Sequence, residues 1–242
     1  MKNISVVILG FVVLLSCNQA PVEQANLKEV KIEKQIEPSN TLEIKDIHID
    51  FEKDKAGQLP EDWSQAFTGR GDATEWKVVK DKRNHVLAQL SSNNPNYHFN
   101  VVVYDKLNLE NVGMSVRLKA VAGKMDQGGG FVWRYKDANN YYVVRANPLE
   151  DNVVLYKVVD GKRTDLPVLG KGRTYGVDVP KLGNDWFELL VNVSGDLFTV
   201  YLDGKKLFQV KDQSISGVGN IGFWTKADAV TYFDDLRVHR SL

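Results

Sequence analysis

The chain has a single cysteine, Cys17, in 242 residues. Without a second thiol no intrachain disulfide can brace the fold, and thiolate catalysis or a cysteine metal cluster is excluded. Net charge is also missing: 31 Lys and Arg balance 31 Asp and Glu. A nucleic-acid partner calls for a basic excess, so none is expected. The four histidines, His48, His85, His98 and His239, form no pair at metal-ligand spacing. A helical period longer than two turns is absent beyond residue 46.

The longest apolar run, residues 4–15, is too short to span a bilayer and suits a signal h-region. It follows Lys2 and ends in Leu14-Leu15-Ser16-Cys17. That ending resembles a bacterial lipobox, which implies cleavage before Cys17 and lipidation of its thiol. The expected organisation is a signal peptide over residues 1–16, a lipidated Cys17 with a polar tether over residues 17–46, and one domain over residues 47–242. The expected location is the cell envelope, exported and anchored to the membrane by lipid, facing the periplasm or the outside. The tether is rich in Gln, Glu, Lys, Asn and Pro, a composition that buries little.

Beyond the tether, short runs of β-branched and aromatic residues alternate with Gly, Asn, Asp and Pro. Asp160-Gly161, Gly195-Asp196 and Asp203-Gly204 read as two-residue hairpin turns. The Gly195-Asp196 turn sets Val193 against Phe198, Val191 against Val200 and Leu189 against Leu202. Many short antiparallel strands with one-sided patterning predict an all-β fold of two packed sheets, a jelly-roll sandwich.

Residues 128–147, GGGFVWRYKDANNYYVVRAN, carry the strongest functional signal. A four-residue turn at Asp137-Ala138-Asn139-Asn140 would pair Lys136 with Tyr141, Arg134 with Val143, and Val132 with Arg145. One face then holds Phe131, Trp133, Tyr135, Tyr142, Val144 and Ala146, a sandwich core. The other holds Val132, Arg134, Lys136, Tyr141, Val143, Arg145 and Asn147. Arginine forks and tyrosine rings are the kit with which a sheet reads sugar hydroxyls. Tyr156 lands beside Val143 if residues 148–151 form the next turn, and Trp224 and Lys226 share a face on a later strand. The expected ligand-binding set is therefore Arg134, Tyr141, Arg145, Asn147, Tyr156, Trp224 and Lys226. The bland alternative is a convex solvent face on which arginine stems cover apolar surface.

Several phrases occur in a telling order: Asp50-Phe51-Glu52, Leu59-Pro60-Glu61-Asp62-Trp63, the hairpin above, Trp186-Phe187-Glu188-Leu189, Tyr201-Leu202-Asp203-Gly204-Lys205, Gly217 to Thr225, and Tyr232-Phe233-Asp234-Asp235-Leu236-Arg237-Val238. This order resembles the concanavalin A-like, laminin-G-like jelly rolls of the lectin and glucanase type. Within them it resembles the bacterial group around the 3-keto-disaccharide hydrolase domain. The resemblance implies a concave sheet bearing the hairpin, and carbohydrate as partner. Family 16 glycoside hydrolases of this fold place Glu-x-Asp-x-x-Glu on one strand, and no such run occurs here, so the carboxylate pair of a glycosidase is missing. His98 and Glu188 are the weak candidates for a catalytic base. Asp50, Glu52, Asp234 and Asp235 lie near the two ends of the domain, where lectin-like jelly rolls hold a structural cation. They read either as calcium ligands or as solvated edge carboxylates. Three functions stay open: a glycan-binding module, a hydrolase or lyase acting on glycosides or 3-keto-glycosides, and a structural envelope protein.

Overall fold

The computed structural model describes residues 46–239, so the signal segment, Cys17 and most of the tether lie outside the described residues. Sixteen strands occur, and no helix occurs among the described residues. In chain order they are β1 (Ile47–Ile49), β2 (Trp63–Gly69), β3 (Trp76–Asp81), β4 (Asn84–Gln89), β5 (His98–Leu109), β6 (Val112–Ala122), β7 (Gly129–Asp137) and β8 (Asn140–Asn147). They continue with β9 (Asn152–Val159), β10 (Lys162–Asp165), β11 (Val177–Asp178), β12 (Phe187–Ser194), β13 (Leu197–Leu202), β14 (Lys205–Lys211), β15 (Gly219–Lys226) and β16 (Val230–His239).

The strands form two antiparallel sheets. One runs β14-β13-β12-β6-β16-β4-β3 with β1 beside β16; the other runs β10-β9-β8-β7-β15-β5-β2 with β11 beside β9. The main core between them is built from alternate residues of both, including Trp133, Phe223, Phe233, Leu189 and Val116. The fold is thus an all-β jelly-roll sandwich, as expected.

Turn chemistry sets the register. Asp160 and Gly161 have φ of 50° and 72°, and Asp203 and Gly204 have 46° and 74°, the paired positive values a type I′ turn requires. The predicted pairs Val193–Phe198, Val191–Val200 and Leu189–Leu202 all form. Strands β2 and β10 were not legible as strands: β2 mixes Ser, Gln and Thr with its rings, and β10 is a four-residue edge of charged and hydroxyl side chains.

The hairpin differs from the expected register. The connecting loop is only Ala138-Asn139, closed by Asp137 against Asn140, and Val132 pairs with Val143 rather than with Arg145. Two extra residues lie on β7 between Trp133 and Asp137. This bulge is centred on Arg134, whose φ of 46° is left-handed and uncommon for a side chain of this size. Its effect is to exchange two neighbours. Tyr135 joins Tyr141 on the outer face, rings 5.7 Å apart. Arg134 turns toward the rim between the sheets, its guanidinium 5.6 Å from the Phe198 ring. There it donates to Glu110 O at 3.2 Å, to Ile215 O at 2.9 Å and to Gly195 O. Three carbonyls from three connections satisfy one fork, and that demand explains the bulge.

The outer face of the second sheet is concave. Strands β10 and β5 are five spacings apart in the sheet, about 24 Å if it were flat. Yet Tyr97, beside the first residue of β5, donates to Gly161 O at 3.1 Å and accepts the Arg163 backbone N–H at 2.9 Å. The sheet therefore curls until its margins meet. A second apolar cluster fills the curl: Phe99, Val101, Val103, Val132, Tyr141, Val143, Val154, Tyr156, Val158 and Trp224.

Candidate functional site

Of the seven expected ligand-binding residues, six share the concave face: Tyr141, Arg145, Asn147, Tyr156, Trp224 and Lys226. Strand alternation and pairing put them there, with Val143 opposite Tyr156 and Asn147 opposite Asn152. Arg134 stands apart at the sandwich rim, for the reason just given.

The six do not form one open platform. Tyr141 and Trp224 are fully buried. Tyr141 exchanges a hydrogen bond with Thr68 of β2 at 2.7 Å. Burial pushes the Tyr141 hydroxyl well above its ordinary pKa, although its hydrogen bond with Thr68 opposes the shift. Burial also raises Tyr135, to about 12. These rings are the floor of the curl, neutral across the physiological range.

At one end of the floor lies a buried polar network. Arg145 is 3% exposed. It donates to Glu150 Oε2 at 2.7 Å, to the Tyr156 hydroxyl at 3.2 Å, and to the Asn152 carbonyl and side-chain oxygens. Burial opposes its charge, but Tyr156, Glu150 and Tyr175 outweigh it and raise the guanidinium above its usual value. Glu150 is the converse: burial lifts its carboxyl, while Arg145 and the Asn152 amide overcome that and hold it below the ordinary range. Lys226 pairs with the buried Asp126 at 2.8 Å, and Asp126 also accepts from Gly128 N at 2.7 Å and Asn147 Nδ2 at 3.4 Å. A Cβ at Gly128 would sit 2.8 Å from Asp126 Oδ1 and 3.2 Å from Arg145 Cδ. Gly128 therefore makes room for this network, while a Cβ at Gly129 would meet Thr231, Leu118 and Phe233 of the sandwich core.

The mouth of the curl is formed by residues that sequence reasoning missed. Arg163 of edge strand β10 lies opposite Val158, hence on the face of Tyr156. Its guanidinium stands 4.4 Å from the Tyr156 ring centroid, 4.9 Å from Phe99 and 5.7 Å from Trp224. Among the described residues that guanidinium has no ion pair and no hydrogen bond. Tyr97, whose hydroxyl holds the Arg163 backbone, and Tyr175, which lies beyond Tyr156 and 5.9 Å from the Arg145 guanidinium, are 47% and 45% exposed. The Tyr97 ring packs on Phe99 at 4.8 Å, and the Tyr156 hydroxyl donates to that of Tyr175 at 2.9 Å. A signal for Arg163 did exist: with Asp160-Gly161 as a two-residue turn, alternation sets it on the Tyr156 face. Tyr175 reads in the sequence as the start of a strand over residues 175–179, whereas the strand β11 begins only at Val177 and Tyr175 lies in the connection before it.

The weak catalytic candidates lie elsewhere. Glu188 is on the opposite sheet, facing Arg117. His98 is fully buried and turned away from Phe99's face; it stacks on Phe67 at 4.9 Å, and its Nδ1 meets Arg70 O at 3.2 Å. The four end carboxylates take separate partners. Asp50 accepts from Glu52 N, Glu52 from His85 N, Asp234 from Asn84, and Asp235 from His48 and Arg117. Among the described residues no three His, Cys, Asp or Glu gather as a metal site.

Two clefts open away from the curl. One, about 520 Å³, is bounded by the loop of residues 53–62 with Trp63 and Tyr104; the other, about 440 Å³, by Trp186, Arg117, Lys119, Asp81 and Asn84 on the first sheet. In the second cleft Arg117 and Lys119 already stand 5.2 and 5.7 Å from the Trp186 ring, and each is ion-paired.

No protein-family model matches the chain, and no curated protein matches it. Solved structures do. A CBM66 carbohydrate-binding module from Bacillus subtilis is similar at 18% identity and a TM-score of 0.54, over 74% of this chain and 95% of that one. A cellulose-induced protein is similar at 13% identity and a TM-score of 0.53, over 79% of this chain and 96% of that one. A GH43 protein from Bacillus licheniformis matches at 13% identity and a TM-score of 0.54, over 81% of this chain and 39% of that one. At these identities the likeness establishes the fold that the strands already describe.

Proposed function

We propose that this domain binds carbohydrate at the mouth of the concave sheet, without turning it over. The observation that carries the reading is the contact chain Tyr97, Arg163, Tyr156, Tyr175: an unpaired cationic fork on the Tyr156 ring, with exposed tyrosines at both ends of the chain. Tyrosine faces stack on the apolar faces of sugar rings, and guanidinium donors reach hydroxyl oxygens. The floor beneath is rigid and preformed, which limits the entropy lost on binding. The similar solved structures include one described as a carbohydrate-binding module, which fits the reading.

Binding without turnover follows from the carboxylates. Asp126 and Glu150, the acids of the buried network, are each held by a cation, Lys226 or Arg145; of the other acids on this face, Asp165 pairs with Arg173 and Asp105 accepts from Ser64. A general acid works from a raised pKa, whereas Glu150 is lowered. The sequence pattern at Cys17 adds the proposal that the module is lipid-tethered at the envelope.

A glycan array, followed by product analysis on every ligand retained, tests the reading. Retention of a glycan with no products formed supports it. Release of reducing ends or unsaturated sugars would transfer the protein to the enzymes, and an array without ligands would remove carbohydrate as partner.

A further inference from the structure

Three cations serve the concave face, and only two are neutralised. Arg145 pairs with Glu150 at 2.7 Å and Lys226 with Asp126 at 2.8 Å. Among the described residues Arg163 has no carboxylate partner. The nearest acid on its own strand, Asp165, is taken by Arg173 at 3.2 Å. Resting on three ring faces spends none of the fork's N–H donors. The Arg163 backbone is also tied down, through Tyr97. An exposed arginine with a mobile stem would be solvated and unremarkable; this one is half-buried and seated on the Tyr156, Phe99 and Trp224 rings.

We infer that the glycan bound here is acidic, with its anionic substituent, a uronate carboxylate or a sulfate ester, seated on Arg163. This rests on the carbohydrate reading above and narrows it. A planar carboxylate or a sulfate edge accepts two parallel N–H bonds from a guanidinium, which fixes the orientation of the sugar as well as attracting it. The exposed Tyr97 and Tyr175 rings at the mouth then receive the sugar ring itself or its neighbours. Because the chain is neutral overall, attraction comes from this local charge and not from a basic surface.

The experiment is affinity electrophoresis and calorimetry on the full domain with matched polymers: polygalacturonate against its methyl ester, and dextran sulfate against dextran. The acidic member of at least one pair binds, weakening as salt rises, while its neutral partner binds about tenfold less well or not at all. The pair that responds tells carboxylate from sulfate ester. Arg163→Gln loses about tenfold or more of that affinity, Arg163→Lys retains a part of it through charge alone, and Lys162→Gln, one residue away and exposed, changes it little. Melting temperatures of the three variants verify the fold. Equal binding of neutral and acidic members overturns the acidic assignment and leaves carbohydrate binding standing. Acid-selective binding that survives Arg163→Gln unchanged overturns the seat on Arg163. Absence of binding to all four polymers, together with an array that retains neutral glycans only, again overturns the acidic assignment; an empty array removes both readings.

Discussion

The Tyr97 hydroxyl accepts the backbone N–H of Arg163 at 2.9 Å and donates to Gly161 O at 3.1 Å. One side chain thus joins the start of β5 to the far edge strand, and it holds the curl closed. Tyr97→Phe keeps the ring on Phe99 and removes both bonds. Its expected cost is about 1–2 kcal/mol in urea unfolding, at roughly 1 kcal/mol per hydrogen bond. Amide exchange at Arg163 should accelerate more than in the main core, because β10 has no outer neighbour to hold it.

Arg134 separates structure from function. Arg134→Ala strips three carbonyl acceptors and loosens the junction of β7 with the β12–β13 turn. It should destabilise by about 2 kcal/mol or more, since bonds to a charged donor are worth more than neutral ones. Ligand affinity should stay within a factor of about two, because the side chain points to the rim and not the concave face. Denaturant unfolding and calorimetry on one preparation read both.

Much of this was legible in the sequence, for physical reasons that can be named. Asp-Gly and Gly-Asp turns fixed three hairpins because few residue pairs tolerate their φ angles. Strand alternation then grouped Tyr141, Arg145, Asn147 and Tyr156 on one face and Trp224 with Lys226 on another strand; that the two groups share one face follows from the pairing of β15 with β7 and β7 with β8. The exchange of Arg134 with Tyr135 was not legible: a bulge is set by distant acceptors, here carbonyls of residues 110, 195 and 215, which no local pattern announces. Nor was the filling of the curl. Alternation shows which residues share a face, while the distance between sheet margins depends on accumulated twist and decides whether that face is open.

Arg145 is the member of the site that the fold needs most. Arg145→Met should cost about 3 kcal/mol, the lower part of the range for breaking a buried pair, because Glu150 is partly exposed and can rehydrate. Glu150→Gln should cost less. Glu150's folded pKa lies below its unfolded one, so its contribution is present above the ordinary carboxylate pKa, about 4.3, and fades as pH falls through the folded value. The Glu150→Gln deficit should accordingly shrink on acidification.

Two aspartates should respond to pH with opposite sign. Burial raises Asp228, but the N–H groups of Met125, Lys124 and Asp126 outweigh it and lower its pKa. Its stabilisation is present above the usual range and lost below it, so Asp228→Asn should lower the melting temperature at pH 7. Burial and the neighbouring Asp235 raise Asp234, although Asn84 opposes this. The penalty for ionising it builds as pH rises from the unfolded value and is complete above the folded one. Asp234→Asn should therefore melt at an equal or higher temperature at pH 7, and the difference should vanish below the ordinary aspartate pKa, about 3.9. A melting curve series from pH 3 to pH 8 shows both, with those limits chosen to bracket the roughly 4 of a free carboxyl.

A nuclear magnetic resonance titration of isotope-labelled domain with a retained glycan reads directly where the ligand sits. The predicted result is a shift of the Arg163 side-chain Nε–H resonance together with the amides of Tyr97, Arg163 and Tyr175, with Arg134 and Trp186 unmoved. Shifts gathered instead around Trp186, Arg117 and Asn84 on the other sheet, with the Arg163 resonance unchanged, would contradict it.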